Sequence, residues 1–290
     1  MFPKISIIIP IFNVEKFLDQ CMRSVVDQTL RDIEIVCIND GSTDRSPEIL
    51  EKFAADDDRI IIINQENKGQ GAARNRGLDI AHGEYIGFVD GDDWVDLNYF
   101  EQLYDAAKKY DASMSCCGII RKYPSSKTRI KLAIKEEKLY TSAAEKFRIT
   151  ETPRKCYIYN KIYKRSELSE HKIRFPEGMS FEDIAFSIRA LYFLGKLVTV
   201  PEIIYSYRVN YQSTTRQMTD LRQQDLLAAR RDFIDFSRKY HVNCDEKWYV
   251  KKKIVYRIFG IPLMKIYEWE TIKKYYLFAI IPIFEKRVSL

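Results

Sequence analysis

The chain of 290 residues carries a formal net charge of +6, with 46% hydrophobic and 30% charged residues. That length holds one large domain or two modest ones, and that composition excludes wholesale disorder. Six cysteines without CxxC spacing and three scattered histidines (His82, His171, His241) exclude a disulfide framework and a zinc site, and they point to a reducing compartment.

Met1-Phe2-Pro3-Lys4 leads straight into an apolar run, without a signal-peptide pattern. Residues 5–9 read as a buried strand closed by Pro10. Val14, Phe17, Leu18, Cys21, Met22 and Val25 then recur at helical spacing. A second strand, 33–38, ends at Asn39-Asp40-Gly41-Ser42, and Ser46-Pro47 opens a second helix running to about Asp57. A third strand (60–63), a Gly/Ala/Arg-rich helix and a fourth strand (84–89) follow. This alternation predicts parallel βαβ units, whose ligand crevice lies beyond the carboxyl ends of the strands. The polar clusters after residues 10, 38, 63 and 89 all fall at that edge.

After Trp94 the pattern predicts a helix with Phe100, Leu103, Ala107 and Tyr110 on one face. Residues 111–175 are irregular, with strands and a basic stretch, Arg121 to Lys138, that reads as a loop. A further helix carries Phe181, Ile184, Ala185, Ile188, Leu191 and Tyr192, with Ser180 as a candidate N-cap. Two strands (198–200 and 203–208) come next, and the chain reads as helical from about Thr219 to its end. This gives three segments: 1–110, 111–216 and a helical extension, 217–290.

From Lys247 to Leu290, ten basic residues meet only three acidic ones, alongside ten aromatics. All of the net positive charge is therefore in the tail. Its longest apolar stretch, 275–284, is interrupted by Pro282 and is shorter than the roughly 20 residues a spanning helix needs. The composition suits contact with an anionic membrane surface through residues 247–290, or a helical lid with lysines on its solvated face. No motif points to nucleic acid.

The run Tyr85 to Asp93 is the most informative. A buried-type strand ends in Asp90-Gly91-Asp92-Asp93, a cluster that repels itself unless a cation sits there. Hard divalent cations take such oxygens, and Mg²⁺ shares one or two carboxylates with substrate phosphates. Gly91 lets a bulky ligand approach the backbone. The competing reading is a solvated acidic turn. Arg74, near a helix start, suits a phosphate or a plain surface charge. Asp40 suits a nucleoside contact or a turn. Asp183 suits catalysis or helix-end stabilisation.

Taken in order, Ile7 to Asn13, Gln28, Ile38 to Asp44, Asn67-Lys68-Gly69 with Ala73 to Gly77, and Tyr85 to Asp93 resemble a family 2 glycosyltransferase of GT-A fold. Asn160 to Arg165, Arg174 to Gly178, Phe181 to Ile184 and Tyr205 to Arg208 resemble bacterial surface-polysaccharide members, so the likeness covers roughly 4–216. It implies a Rossmann-like, mostly parallel α/β sheet flanked by helices. It also implies an inverting transfer from a nucleotide-diphosphate sugar, a UDP-sugar by preference, to a glycan or lipid-linked acceptor at the cytoplasmic face of the membrane.

By the same resemblance, Pro10, Phe12, Glu15 and Asp40 surround the nucleoside with Arg74 nearby. Asp90 and Asp92 form the Asp-x-Asp motif, Asp92 on Mn²⁺ or Mg²⁺, and Asp183 is the general base. Asn39 departs from the Asp common in relatives. The processive signature is absent, since Arg222-Gln223-Gln224 is followed by Asp225, which implies one sugar per encounter. The rival expectations are a nucleotidyltransferase or nicotinamide enzyme, and a non-catalytic nucleotide-binding subunit of a synthase assembly.

Overall fold

The computed structural model describes residues 3–210 and 219–242, together with the backbone of 252–258, 261–268, 272–277 and 281–287. Its compact units are Met1–Ala229 and Arg230–Leu290.

The first unit begins with β1 (Ile5–Ile11), α1 (Glu15–Val26), β2 (Ile33–Asp40), α2 (Ser46–Asp56), β3 (Ile60–Gln65), α3 (Gln70–Ile80) and β4 (Tyr85–Phe88). Every residue of β1 and β2 is buried, as expected of parallel strands covered on both faces. β1 runs through Pro10 because β4 pairs with it only as far as Ile8. Beyond that point one flank of β1 is free of the ladder, and the missing N–H leaves no gap. In α1 the buried stripe is Leu18, Cys21, Met22 and Val25.

Then come β5 (Trp94–Val95), α4 (Tyr99–Lys109), β6 (Met114–Lys122), β7 (Thr128–Leu132), β8 (Leu139–Tyr140), α5 (Ala143–Thr150) and β9 (Lys161–Lys164). The set closes with α6 (Arg165–Glu170), α7 (Glu182–Phe193) and β10 (Leu197–Arg208). A ten-stranded sheet has the order β3-β2-β1-β4-β9-β6-β10-β5, with β7 on β6 and β8 on β10. β1 to β4 are parallel, β9 is antiparallel to both β4 and β6, and β6 is parallel to β10. Strand order reverses between β1 and β4, so the loops after those strands flank a switch-point crevice. One sheet thus spans residues 5–208, across the expected division at 110.

Three expectations need correction. The basic stretch after Arg121 is partly strand: the end of β6 pairs antiparallel with β7, whose Leu132 is buried while Thr128, Arg129 and Ile130 are exposed. The two late strands are one, β10, with a register shift between Val200 and Ile204 where Pro201 removes a ladder donor. Among the described residues the C-terminal extension is helical over α8 (Asp220–Tyr240). Beyond it, β11 (Lys252–Ile258), β12 (Ile261–Glu268), β13 (Ile272–Leu277) and β14 (Ile281–Arg287) form an antiparallel meander in that order. The Ile, Val and Tyr content of these segments favours strands over helices. Among the described residues no helix is long and apolar enough to cross a membrane. Five cysteines, Cys21, Cys37, Cys116, Cys117 and Cys156, are free and buried, and Cys244 lies outside the described residues.

Candidate active site

The carboxylate triplet sits where β4 ends, held from three directions. The Asp90 amide donates to the Tyr205 hydroxyl at 3.1 Å. The Arg208 amide donates to Asp93 Oδ1 at 2.7 Å, and its Nε donates to the Asp92 carbonyl at 2.7 Å. The Arg208 guanidinium lies 4.5 Å from the Trp94 ring centre and 4.8 Å from that of Phe17, so aromatic faces fix it. The end of β10 therefore clamps a loop more than 100 residues away. Gly91 is buried, and a Cβ there would stand 3.3 Å from the Pro10 carbonyl and 3.2 Å from Val14, so the loop passes tightly under the end of β1.

The three acids differ in environment. Asp93 is 1% exposed and spent on the Arg208 amide, so it is a structural anchor. Burial, then the charge of Asp90, pushes Asp92 up to about 6. Among the described residues no other residue donates to the Asp92 carboxylate. Asp90 gives Oδ1 to Arg74 Nη2 at 2.8 Å. A crowded, half-buried carboxylate beside a second one is an oxygen donor set that fits a hard divalent cation. No group of three His, Cys, Asp or Glu ligands occurs among the described residues.

Arg74 is 3% exposed, and the helix that carries it packs on α7. Its guanidinium grips Asp90 on one side and Glu182 Oε1 on the other at 2.5 Å, over the ring of Phe175. The surface-charge reading of Arg74 is therefore excluded, and its fork ties β4 to α7. Glu182, 7% exposed, is consumed by this bond.

Asp183, next in α7, is only half-buried by exposure. Loss of solvation, then the charge of Glu182, raises its carboxyl to about 7, against the pull of Arg74. The Ser180 cap is not formed. The N-cap position is Phe181 in the left-handed region at φ 65°, without a side-chain cap bond, and the Ser180 amide donates to Asp225 instead. Asp183 thus stands in the first turn of α7 at neutral-range acidity, a state suited to taking a proton.

On the other flank, Pro10 is buried and Phe12 is 43% exposed beyond β1. Glu15 accepts from the Arg45 amide at 3.0 Å. Asp40 is 3% exposed and takes the amides of Lys68 (2.9 Å) and Gly69 (2.8 Å) and the Gln65 side chain (2.7 Å), so it shapes the loop between β3 and α3. Asn39 uses both ends of its amide, donating to Asn64 at 2.8 Å and accepting from Ser42 at 3.0 Å. Among the described residues, the structure brings Asp90, Gly91, Asp92 and Asp183 to the crevice end of the sheet with Arg74 from α3, while Pro10 and Phe12 at the end of β1, Glu15 at the start of α1 and Asp40 at the end of β2 lie on the other flank. Tyr205, Arg208 and Glu182 entered the sequence only as parts of motifs, without roles.

The glycosyl transferase family 2 profile matches residues 6–171, more than half of the chain. The chain belongs to this family. An uncharacterised glycosyltransferase, EpsJ of Bacillus subtilis, is 36% identical over 74% of this chain and 64% of its own length. Glycosyltransferase GlyG of Streptococcus pneumoniae is 33% identical over 75% of this chain and 74% of its own. The chain spans less than two thirds of EpsJ and of the related EpsH, of which it covers 63%. Among solved structures, S. aureus TarS with UDP-GlcNAc superposes with a TM-score of 0.67 at 21% identity, over 80% of this chain and 67% of that one. Pyrobaculum calidifontis mannosyltransferase PcManGT, with GDP-Man and Mn²⁺, gives 0.54 at 15%, over 86% and 67%. These likenesses establish the GT-A fold.

Proposed function

We propose that this family 2 protein moves a sugar from a nucleotide-diphosphate donor, a UDP-sugar, to a hydroxyl of a glycan or lipid-linked acceptor, inverting the anomeric centre once per encounter. The carrying observation is the pair of acidic stations that Arg74 joins through Asp90 and Glu182: Asp90 and Asp92 at the end of β4, and Asp183, next to Glu182 and raised to about 7, at the start of α7. The similar folds that hold UDP-GlcNAc or GDP-Man with Mn²⁺ support the donor class.

Pro10, Phe12, Glu15 and the Asp40-shaped loop flank the nucleoside, and Gly91 lets the Asp90–Asp92 loop pass close under the end of β1. Asp92, with Asp90, holds Mn²⁺ or Mg²⁺, which when bound supplies positive charge to the departing diphosphate. Asp183 takes the acceptor's proton as its oxygen attacks from the face opposite the diphosphate. The raised carboxyl pKa brings base strength close to neutral pH. The basic, aromatic composition of residues 247–290 supports docking on an anionic membrane surface at the cytoplasmic face, although the side chains there lie outside the described residues.

The test is a screen of UDP-, GDP- and dTDP-sugars with Mn²⁺, reading release of the nucleoside diphosphate. One donor class is hydrolysed, and Asp92→Asn lowers that rate about 10²–10³-fold. If no nucleotide binds and no donor is turned over, the reading fails.

A further inference from the structure

Strands β6 and β7 carry two cations that no acid answers. Lys131 Nζ lies 4.1 Å from the ring centre of Tyr157 and 4.4 Å from that of Tyr207, held between two aromatic faces. The Arg121 guanidinium lies 5.7 Å from the same Tyr207 ring. Among the described residues neither forms an ion pair, and Arg121 Nε is buried without a hydrogen-bond partner. Both residues are half-buried, so the patch opens to solvent. Burial, then the charge of Arg121, pushes Lys131 down to about 7, with Lys155 adding to the effect and Asp93 and Asp183 opposing it. Positive charge here is in excess.

The patch is joined to the reaction centre. Tyr157 stacks on Tyr159 at 5.6 Å, and Tyr159 stacks on Tyr205 at 4.3 Å. Tyr205 is the residue whose hydroxyl takes the Asp90 amide. Lys131 feels the charges of Asp93 and Asp183, Tyr157 that of Asp183, and Tyr207 those of Asp93, Asp92 and Asp90, so the patch neighbours both acidic stations.

Building on the transferase reading, we propose that Arg121 and Lys131, framed by Tyr157 and Tyr207, hold the phosphate of a phosphate-bearing acceptor and so present its hydroxyl to Asp183. A guanidinium fork beside a point-charge ammonium suits a tetrahedral phosphate with oxygens for both. A single carboxylate is satisfied by the arginine alone. The tyrosine faces hold the ammonium in place and offer an apolar floor to the carbon chain next to the phosphate. The same chemistry is found in a polyol phosphate and in a lipid phosphate.

Ligand-observed NMR titrations of the full chain, with UDP and Mg²⁺ saturating the donor side, test this. The probes are sn-glycerol 3-phosphate, octyl phosphate, octyl glucoside and glucuronate. At least one phosphate probe binds about tenfold more tightly than octyl glucoside and glucuronate. Preference for octyl phosphate identifies a lipid phosphate, and preference for glycerol phosphate a polyol. Lys131→Ala and Arg121→Ala each weaken that probe about tenfold, Lys131→Arg restores most of the loss, and UDP affinity stays unchanged in all three. Phosphate probes that bind no better than octyl glucoside or glucuronate, or that bind Lys131→Ala as well as the native chain, overturn the proposal. Loss of UDP binding with the phosphate series intact overturns the transferase reading instead.

Discussion

On one side of β4 the strands run parallel, and their ends carry Asn39, Asp40, Asp90 and Asp92; on the other, β9 runs against β4 while β6 and β10 return to its direction, and this side carries tyrosines, Arg121 on β6 and Lys131 on β7. The first side crowds carboxylates at the end of β4, where Arg74 answers Asp90 and the Asp92 carboxylate takes no donor from another of the described residues. The second concentrates positive charge over aromatic faces. A site for two substrates can therefore be assembled from two local electrostatic problems of opposite sign, provided something couples them. Here Arg74 ties Asp90 to Glu182, and the Tyr157–Tyr159–Tyr205 stack joins the basic patch to the Asp90 loop.

The sharpest way to break the comparison is at the base. Asp183→Asn should lower kcat about 10²–10⁴-fold with donor affinity unchanged. In the native enzyme, kcat should fall tenfold per unit as pH drops below about 7, because protonated Asp183 cannot accept the acceptor's proton. The sign for stability is opposite. With the folded carboxyl raised to about 7 against an ordinary 3.8, stability falls as pH rises between those values and stays at the lowered level above about 7. Thermal melts at pH 8 should show the Asn variant melting above the native chain. A flat acid limb removes Asp183 from the base role.

Next is the coupling itself. Arg74→Ala leaves Asp90 and the nearly buried Glu182 without a counter-charge, at a cost of about 3–5 kcal/mol in denaturant unfolding. Arg74→Lys should recover only part of this, since one ammonium cannot span both acids with a planar fork. If Arg74→Ala unfolds like the native chain, the two halves are not held together there.

The smallest effect tests the parallel half alone. A Cβ at Gly77 would lie 2.4 Å from Ile8 Cγ2, so α3 rests directly on β1. Gly77→Ala should cost about 1–3 kcal/mol and leave the acid limb of the rate profile in place. A shift of that limb would show that packing in this half reaches Asp183.

The two halves were also unequally legible. In β1 to β4 the apolar runs and helical periods are local, and each strand ends at a polar cluster, so the topology and the Asp90–Asp92 pair could be placed from residue order. Pro10 misled only by one turn of the ladder, since one flank of β1 is free there. The other half depends on distant partners. Nothing near Arg74 in the chain announces Glu182, 108 positions on, and nothing near Asp93 announces Arg208. Ser180 fits a cap pattern, yet its amide is taken by Asp225. The tail was misread because its lysines and tyrosines suit a helix face by composition, whereas its β-branched runs pair as strands over 252–287.

The Arg74 bridge has a consequence for recombination. Because its two acids come from segments far apart in the chain, a chimera that joins residues 1–110 of this protein to the later half of a relative inherits only one of them. Swapping acceptor modules among such enzymes therefore requires an acid at the position of Glu182 to travel with the graft, or the new junction carries an unanswered guanidinium at its centre.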